Sequence, residues 1–399
     1  MSENRVIVVG AGPVGLLTAL VLAKREIQVL VLEAEPGLTV DLRAGTYHPP
    51  SLEMMAPYGI TDDMHRTGIK VPRWQIRDKD EGVIVEWDLS LLADTTPYPY
   101  RLHLEQHRLT PIIFDKLRAH PNVEVRFNAP VTEVTQDADG VRVCAGDATH
   151  TGAFCVGADG GRSTVRKAMG VEFEGFTWPE RFAVISTDFD FQPLGYAFNA
   201  YIAHPVEWSA IFKMPDVGPP GIWRVVFPVG PDESDEAALD PDRAEWRMQR
   251  FHRRDVPYTV KYKSIYRVHQ RVASDFRRGR ILIAGDAAHV NNPLGAFGLN
   301  GGIHDAINLG DKLGRVMCGE GGVDASLLDL YTRQRRTANI EQVQANSIQN
   351  KKRLETNDPE AKQRNWDELR RIAADPKQAR EFLIVSSMIR SVQRAAGVA

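Results

Sequence analysis

Three glycine-rich corners contain most of the residues whose types and spacing could do chemistry. The first, "GAGPVG", places Gly10, Gly12 and Gly15 in G-x-G-x-x-G spacing. The second, "GADGGRS", contains Asp159, and the third, "GDAAHVNNPLGAFGLN", contains Asp286. Each corner follows a short apolar run, so we expect each at the end of a buried strand. Backbone N–H groups at such corners can bind an anionic ligand.

The first corner has the spacing of a dinucleotide-binding turn. A strand-like run, "RVIVV", precedes it and a helical pattern follows it, which is the context that the motif requires. The first glycine permits the tight turn, the second lets a pyrophosphate approach the backbone, and the third lets helix and strand pack closely. Glu33, about twenty residues further on, can accept hydrogen bonds from ribose hydroxyls. The motif predicts a bound FAD or NAD(P), against the alternative of a glycine-rich turn without a ligand.

The elements around these corners predict an α/β fold. Residues 5–34 have the pattern strand, turn, helix, strand, and another helix is expected at 105–119. From 176 to 275 the sequence is rich in aromatic residues and alternates as antiparallel strands do. From about 302 it is helical, with a charged stretch near 350–380 that is either a solvated helix or a linker. We predict a Rossmann-like dinucleotide-binding domain at 1–175, completed with C-terminal helices at 276–399, and an inserted antiparallel β-sheet substrate domain at 176–275.

Composition limits the classes of function. The 399 residues carry a net charge of −3; 43% are hydrophobic and 25% are charged, which is ordinary for a soluble globular protein. Basic clusters are interleaved with acids, so we expect neither nucleic-acid nor membrane binding. The first apolar run is too short for a signal sequence or a membrane span. The three cysteines are scattered without metal-ligand spacing, which indicates reduced thiols, no metal site and a cytoplasmic location.

Taken together, "GAGPVG", "DGGRSTVR" and "GDAAH...GLN" resemble the motifs of the single-component FAD-dependent aromatic-ring monooxygenases, of which 4-hydroxybenzoate 3-monooxygenase is typical. The resemblance runs over most of residues 5–315. It implies that the dinucleotide is FAD and that NAD(P)H reduces it. It further implies that the reduced flavin reacts with O2 to give a C4a-hydroperoxide, which transfers OH to a small aromatic substrate. No second G-x-G-x-x-G occurs, so NAD(P)H would bind without its own Rossmann unit.

The resemblance assigns cofactor-binding roles by position. Asp286 would hold the ribityl chain, and the backbones of Leu299 and Asn300 would face the pyrimidine edge of the flavin. N–H dipoles at a helix start would stabilise the anionic reduced flavin. The full set of predicted cofactor-binding residues is Gly10, Gly12, Gly15, Glu33, Arg43, Gln106, Arg108, Asp159, Asp286, Gly295, Leu299 and Asn300.

Charged residues near the flavin bear on the choice of reductant. By the resemblance, Arg43 would lie beside the flavin, and Gln106 and Arg108 would reach the ribityl chain and the diphosphate. A surface ion pair is the alternative for each arginine. Around Arg43 the chain contains Glu35 and Asp41, and acids tolerate a free 2′-hydroxyl but disfavour a 2′-phosphate. We therefore expect NADH to be preferred over NADPH.

Three residues are catalytic candidates, two of them, Tyr201 and Pro293, by the same resemblance. Tyr201 would contact the phenolic oxygen of the substrate, and the backbone carbonyl of Pro293 would accept a hydrogen bond from the substrate hydroxyl. His48 is a secondary candidate for a base, because ring attack is faster on a phenolate than on a phenol. A packed strand aromatic is the alternative interpretation of Tyr201.

The substrate pocket departs from the benzoate-binding pattern. Phe212 and Met214 occupy positions where that family has a serine and an arginine, and neither can pair with a carboxylate. Arg224 could hold a carboxylate or nitro group at another angle, or could be a surface or flavin-contacting arginine. Thr46, Tyr47 and His48, just after "RAG", are expected to border the pocket. Substituted phenols and hydroxypyridines are the expected substrates.

Two other functional classes compete with aromatic hydroxylation. A flavin-binding redox or sensor protein would keep the cofactor without turnover. A halogenase or a geranylgeranyl-reductase-like relative would share the fold, although the W-x-W-x-I-P signature of halogenases is absent from the sequence. A homodimer is compatible with each of these functions.

Overall fold

The structure is a computed structural model, and it describes residues 4–40, 44–322 and 324–399. Within those residues the strands form two large sheets and two small ones. The nucleotide-binding sheet contains, in spatial order, Arg277–Arg278, Ile281–Ile283, Phe154–Gly157, Arg5–Val9, Gln28–Leu32 and Val123–Arg126. The substrate sheet contains His289–Val290, Val260–Ala273, Phe173–Thr187, Ile222–Val229, Ser209–Met214, Asn199–Ala203, Arg73–Asp78 and Gly82–Asp88. The small sheets consist of Val131–Gln136, Val141–Ala145 and Ala148–Gly152, and of Thr46–Tyr47, Arg101–His103 and Ile69–Val71.

The nucleotide-binding sheet is parallel over its central strands, as the strand–helix–strand pattern of residues 5–34 predicts. The last four residues of strand Arg5–Val9 are all buried, which explains its unbroken apolar sequence. Helix Pro13–Ala23 follows, begins with proline at its first position and is almost entirely buried. The predicted α/β class, with its Rossmann-like domain, inserted sheet and C-terminal helices, is confirmed.

The substrate sheet is largely antiparallel. Phe173–Thr187 pairs along its length with Val260–Ala273. The sheet also takes in a hairpin from residues 73–88, whose first strand runs parallel to Asn199–Ala203. The chain therefore enters the substrate sheet before residue 176 as well as after it. The domain boundaries at 175 and 275 stay predictions.

Helices make up most of the remaining structure. The helix predicted at 105–119 is observed at Gln106–Leu117, and the charged stretch near 350–380 contains helix Pro359–Ala374. Among the described residues, no helix combines the length and the apolar character that a membrane span needs. The helices are Pro13–Ala23, Pro49–Met55, Ile60–Thr67, Gln106–Leu117, Thr164–Met169, Asp235–Ala238, Pro241–Phe251, Phe297–Cys318, Leu327–Ala338, Ala345–Leu354, Pro359–Ala374, Pro376–Ser386 and Ile389–Ala396.

A buried ion cluster holds the third glycine-rich corner against helix Phe297–Cys318. The carboxylate of Asp305 accepts hydrogen bonds from His289 Nε2 at 2.6 Å and from Arg335 Nε at 2.6 Å. It also accepts from the N–H of Gly285 at 3.0 Å. Burial alone would raise the pKa of Asp305, but His289 and Arg335 outweigh burial and hold this pKa at about 2. The Asp305 carboxylate therefore stays ionised, and its hydrogen bonds fix the start of the corner relative to the helix.

Asp305→Asn should destabilise the protein by about 3–5 kcal/mol, because the buried guanidinium of Arg335 would lose its carboxylate. Thermal unfolding followed by circular dichroism measures the change. Asp311→Asn, on the same helix, removes only a half-exposed pair with Arg25 and should change the free energy of unfolding by about 0–1 kcal/mol. Equal losses in the two variants would contradict the role of the cluster.

Candidate active site

The three glycine-rich corners meet in space. A Cβ added to Gly10 would lie 2.5 Å from the carbonyl oxygen of Ala158, which precedes Asp159 in the second corner. A Cβ added to Gly285, in the third corner, would lie 3.0 Å from a methyl group of Val14 in the first. The corners follow neighbouring strands of one sheet, so their backbones converge although they are far apart in the sequence.

Each glycine of the first corner has the surroundings that its predicted role requires. Gly10 has a φ of +103°, which side-chain-bearing residues rarely adopt, and makes the turn. A Cβ on Gly15 would lie 2.0 Å from the carbonyl oxygen of Gly10, so only glycine lets the helix pack there. A Cβ on Gly12 would meet no atom within 4 Å. Gly12 also precedes a helix without a side-chain cap, so its backbone faces open space suited to a diphosphate.

Two acids at strand ends brace the corners. Oε2 of Glu33 accepts a hydrogen bond from the N–H of Ala11 at 2.6 Å. The carboxylate of Asp159 accepts from the Ser163 hydroxyl at 2.5 Å and from the Thr164 N–H at 2.7 Å. Both acids thus hold loops that would contact a cofactor. Direct contact of either acid with the cofactor stays a prediction.

The third corner combines an exposed acid with an uncapped helix start. Asp286 is exposed in a short 3-10 helix. Helix Phe297–Cys318 begins after Ala296, whose backbone is left-handed, and it has no side-chain cap. The first N–H groups of a helix lack intrahelical partners and carry its positive end. The N–H groups around Leu299 can therefore face the pyrimidine edge of a flavin, which is the role predicted for them.

Asn300 has a structural role that sequence reasoning missed. Its Oδ1 accepts from the N–H of His48 at 2.9 Å and from the hydroxyl of Ser51 at 2.7 Å. Its Nδ2 donates to the carbonyl oxygens of Thr46 and Ala296 at 2.8 and 2.7 Å. The side chain therefore fastens segment 46–51 to the helix start, and the backbone of Asn300 is what remains for the predicted cofactor contact.

The remaining predicted cofactor residues belong to two other segments. Gln106 begins a helix and is half-buried. Arg108 donates to the carbonyl oxygen of Asp216 and lies 3.7 Å from a carboxylate oxygen of Glu105, so its guanidinium is paired within the protein. The diphosphate contact of Arg108 stays a prediction. Arg43 lies outside the described residues.

Tyr201 connects the third corner to an aromatic wall. Its hydroxyl accepts a hydrogen bond from the N–H of Gly295 at 3.2 Å. Its ring lies edge-on to the rings of Trp74 and Phe212, with centroids 6.0 Å apart in each pair. These three rings form the aromatic wall. The Gly295 turn, which leads into the uncapped helix, therefore touches the wall through one polar contact.

Pro293 and His48 flank the Gly295 turn. The carbonyl oxygen of Pro293 accepts from the Ala296 N–H at 2.8 Å, so one lone pair remains for the predicted substrate contact. His48 is fully buried, and its Nε2 donates to the Gly295 carbonyl oxygen at 2.8 Å. Burial lowers the pKa of His48 well below its usual value, and the charge of Arg101 lowers it further. His48 is therefore a weak base with an acceptor at Nδ1, which argues against the base role predicted for it.

Arg101 is a buried residue beside Tyr201 that sequence reasoning missed. It is 1% exposed, and its Nη1 donates to Oδ1 of Asn199 at 2.5 Å. The guanidinium lies over the ring of Trp74, 4.4 Å from the centroid. Burial lowers the pKa of Arg101 to about 10, although the adjacent Tyr201 hydroxyl opposes that shift. The sequence signal was the alternation in "RLHLE", which is equally typical of a strand with one face in water.

Four of the predicted pocket residues are buried, and the fifth, Phe212, is partly buried in the aromatic wall. Thr46 and Tyr47 form a short strand that pairs with Arg101–His103, and the Tyr47 hydroxyl has no hydrogen-bond partner among the described residues. Met214 is buried on a strand of the substrate sheet. Arg224 is buried and lies 3.9 Å from a carboxylate oxygen of Glu105. Which of these residues touches a substrate stays a prediction.

The chemistry of the donor set fits FAD. The open backbone at Gly12 suits a diphosphate, and the exposed carboxylate of Asp286 suits the hydroxyls of a ribityl chain. The uncapped helix start near Leu299 suits the carbonyl oxygens of an isoalloxazine ring. These groups project from corners that meet, as a single extended cofactor requires.

Comparison with known proteins gives the family. The family described as FAD binding domain matches residues 3–347. The chain belongs to this FAD-binding family. Para-nitrophenol 4-monooxygenase from Pseudomonas sp. (strain WBC-3) is 35% identical over 390 residues, which cover 95% of this chain and 94% of the relative. A 6-hydroxy-3-succinoylpyridine 3-monooxygenase from Pseudomonas putida (strain DSM 28022 / S16) is 36% identical over 387 residues, 96% of this chain and 97% of the relative.

One solved structure is similar to this chain over nearly its whole length. The crystal structure of p-nitrophenol 4-monooxygenase PnpA from Pseudomonas putida DLL-E4 has a TM-score of 0.91 and 35% identity, and covers 98% of each chain. The predicted resemblance to the single-component FAD-dependent aromatic-ring monooxygenases is confirmed. The alternative of a flavin-binding protein without turnover is not favoured, because these relatives are monooxygenases.

Gly12→Ala should leave the fold intact and weaken FAD binding on the order of tenfold or more, because the methyl group would enter the space left for the diphosphate. Flavin fluorescence quenching on titration of the apoprotein measures Kd, and thermal unfolding measures stability. Gly230→Ala is the matched control, since a Cβ there also meets no atom within 4 Å. Unchanged FAD affinity in Gly12→Ala would show that the diphosphate lies elsewhere.

Proposed function

We propose that the chain is an FAD-dependent monooxygenase that hydroxylates a small phenol or hydroxypyridine with NAD(P)H and O2. The observation that carries the proposal is the hydrogen bond from the Gly295 N–H to the Tyr201 hydroxyl. It joins the corner suited to the flavin to the aromatic wall, so the reacting ring would lie where the two meet. The relatives named for a nitrophenol and for a hydroxylated pyridine support this substrate class.

The chain supplies binding and orientation. Bound FAD, reduced by NAD(P)H, would supply the chemistry that activates O2 for insertion of one oxygen atom into the ring. The backbone at Gly12 would hold the diphosphate, and the carboxylate of Asp286 would hold the ribityl hydroxyls. N–H groups near Leu299 would stabilise negative charge at the pyrimidine edge. The buried rings of Trp74 and Tyr201 and the partly buried ring of Phe212 would exclude water from the reacting ring.

The contacts of Tyr201 support a role in binding the oxygen of a phenolic ring. Its own oxygen already accepts from the Gly295 N–H and lies beside the Arg101 guanidinium, which can only donate. The hydroxyl proton of Tyr201 is therefore directed to another acceptor, and a substrate oxygen at the wall provides one. Ring attack by an electrophilic oxygen is faster on a phenolate, so this contact also orients the activated form.

The wall does not suit a benzoate in the pose implied by 4-hydroxybenzoate 3-monooxygenase. Phe212 stacks edge-on against Tyr201, and Met214 is buried. Neither can pair with a carboxylate, and an unpaired buried charge is strongly unfavourable. Arg224 lies near Glu105, and this carboxylate already compensates part of the positive charge of Arg224. We therefore propose a phenol or hydroxypyridine ring rather than a benzoate.

Tyr201→Phe should lower the hydroxylation rate on the order of tenfold to a hundredfold and raise the share of NADH oxidation that ends in hydrogen peroxide. The reason is that the ring loses the donor that orients its oxygen. Product formation, peroxide release and NADH consumption are measured together with a substrate phenol. Tyr266→Phe, at a partly buried ring that packs on Phe182, is the control and should stay coupled. Full coupling in Tyr201→Phe would remove the role proposed for this hydroxyl.

We further propose NADH as the preferred reductant. Glu35 is exposed close to Glu33, and an acid there repels a 2′-phosphate; Asp41, the second acid behind this proposal, lies outside the described residues. The kcat/KM for NADH should exceed that for NADPH on the order of tenfold. Glu35→Gln should narrow the ratio, whereas Glu26→Gln, at another exposed acid, should not. A larger kcat/KM with NADPH in the unaltered protein would refute the proposal.

We also propose that the protein is cytoplasmic and that it forms a homodimer. Cys144, Cys155 and Cys318 are free thiols, as is usual for proteins of reducing compartments. Light scattering on the purified protein measures the oligomeric state.

A further inference from the structure

We propose that the positive charge of Arg101 causes this site to bind its aromatic substrate as an oxygen anion. The substrate class then narrows to acidic phenols and hydroxypyridines that are already ionised in water. This inference rests on the function proposed above and adds the form in which the ring binds and the residue that selects it.

Arg101 lies where the ring oxygen is expected. Asn199 and Tyr201 are two residues apart on one strand, so their side chains share a face of the substrate sheet. The guanidinium of Arg101 spans both, with Nη1 bonded to Asn199 Oδ1 at 2.5 Å and the Tyr201 hydroxyl beside it. An oxygen that accepts from Tyr201 would therefore also lie within reach of Arg101.

The charge of Arg101 has no carboxylate partner within the described ranges. Its Nε has no hydrogen-bond partner there, although the side chain is buried. The ring of Trp74 offers a cation–π contact at 4.4 Å, which offsets only part of the desolvation of a guanidinium. Arg335, which is similarly buried, is bonded to Asp305. This difference between Arg101 and Arg335 indicates that a bound ligand supplies the negative charge that pairs with Arg101.

The neighbouring titratable groups leave this positive charge in place. Glu105 lies 3.9 Å from Arg224 and 3.7 Å from Arg108, so two other arginines compensate its carboxylate. Burial raises the pKa of Tyr47 far above its usual value, and Glu105 adds to that rise, so the phenol of Tyr47 stays neutral. Among the described residues, the region around Arg101 therefore has no uncompensated anion to neutralise the guanidinium.

The nearby histidines do not take a proton from the ring at neutral pH. Nδ1 of His103 donates to the carbonyl oxygen of Lys213 at 2.8 Å, and burial together with Arg101 lowers the pKa of His103 to about 4. The pKa of His48 is also well below its usual value. Both rings are neutral acceptors. A ring that arrives already ionised leaves its proton in the solvent, and Arg101 stabilises the oxygen anion.

The test uses 4-nitrophenol as the probe, because its anion is yellow and its neutral form is not. The FAD-loaded protein is titrated without NADH, so binding is measured in the absence of turnover. Bound 4-nitrophenol should ionise at a pH about one unit or more below that of free 4-nitrophenol, a change on the order of tenfold in the ionisation constant. Arg101→Met should abolish this shift. Arg101→Gln, which keeps a donor for Asn199, should abolish it as well.

Two controls separate charge from structure. 4-Nitrotoluene has a similar shape without an ionisable oxygen, and it should bind Arg101→Gln as well as it binds the unaltered protein. Arg77→Met removes another arginine that lies over an aromatic ring, 4.1 Å from the centroid of Tyr196, and should keep the shift. If the Met variant does not fold, the Gln variant carries the comparison.

Three results would overturn the inference: no shift in the unaltered protein, a shift that persists in an Arg101 variant, or an equal loss of 4-nitrotoluene and 4-nitrophenol binding. Turnover is scored separately. A protein that shows the shift but never couples NADH oxidation to ring hydroxylation would refute the proposed function and leave the anion site standing.

Discussion

The arrangement depends on the close approach of main chains from three distant parts of the sequence. The carbonyl of Ala158 and the side chain of Val14 come so near to Gly10 and Gly285 that a Cβ on either glycine would be at or inside normal contact distance. Backbone N–H groups then face a common space without intervening side chains. A long cofactor with a diphosphate at one end and carbonyl oxygens at the other can be held mainly by main-chain groups, which bind it without a net charge of their own.

The charges around this space are balanced in two different ways. Behind the third corner, Asp305 is satisfied from within by His289 and Arg335, so that cluster serves to fix the backbone. In front of it, Arg101 is buried against neutral partners and lacks an internal carboxylate among the described residues. In a medium of low polarity, the first arrangement stabilises the fold and the second attracts an anion. The same physics therefore accounts for rigidity on one side and for ligand selection on the other.

Sequence reasoning reached the fold and the cofactor corners but not the polar interior. Glycines at fixed spacing after apolar strands report local backbone geometry, which is why Gly10, Gly12 and Gly15 have the surroundings predicted for them. Arg101 was missed because alternation in a strand does not say which face is buried. The side-chain role of Asn300 was missed because its partners His48 and Ser51 are distant in the sequence. The role of His48 as a secondary base stays a prediction; its burial and the charge of Arg101, which lower its pKa, could not be known from its neighbours in the sequence.

The sequence by itself determined the α/β class, the three turning points of the chain and the need for a dinucleotide, since each depends on residues within one short segment. Only the tertiary structure decided which side chains share the substrate wall. Tyr201, Gly295 and Arg101 come from three separate segments, and their contacts arise where a small sheet, the substrate sheet and a helix start pack together. The tertiary structure also decided the protonation states, because a pKa is set by burial and by neighbours in space rather than by neighbours along the chain.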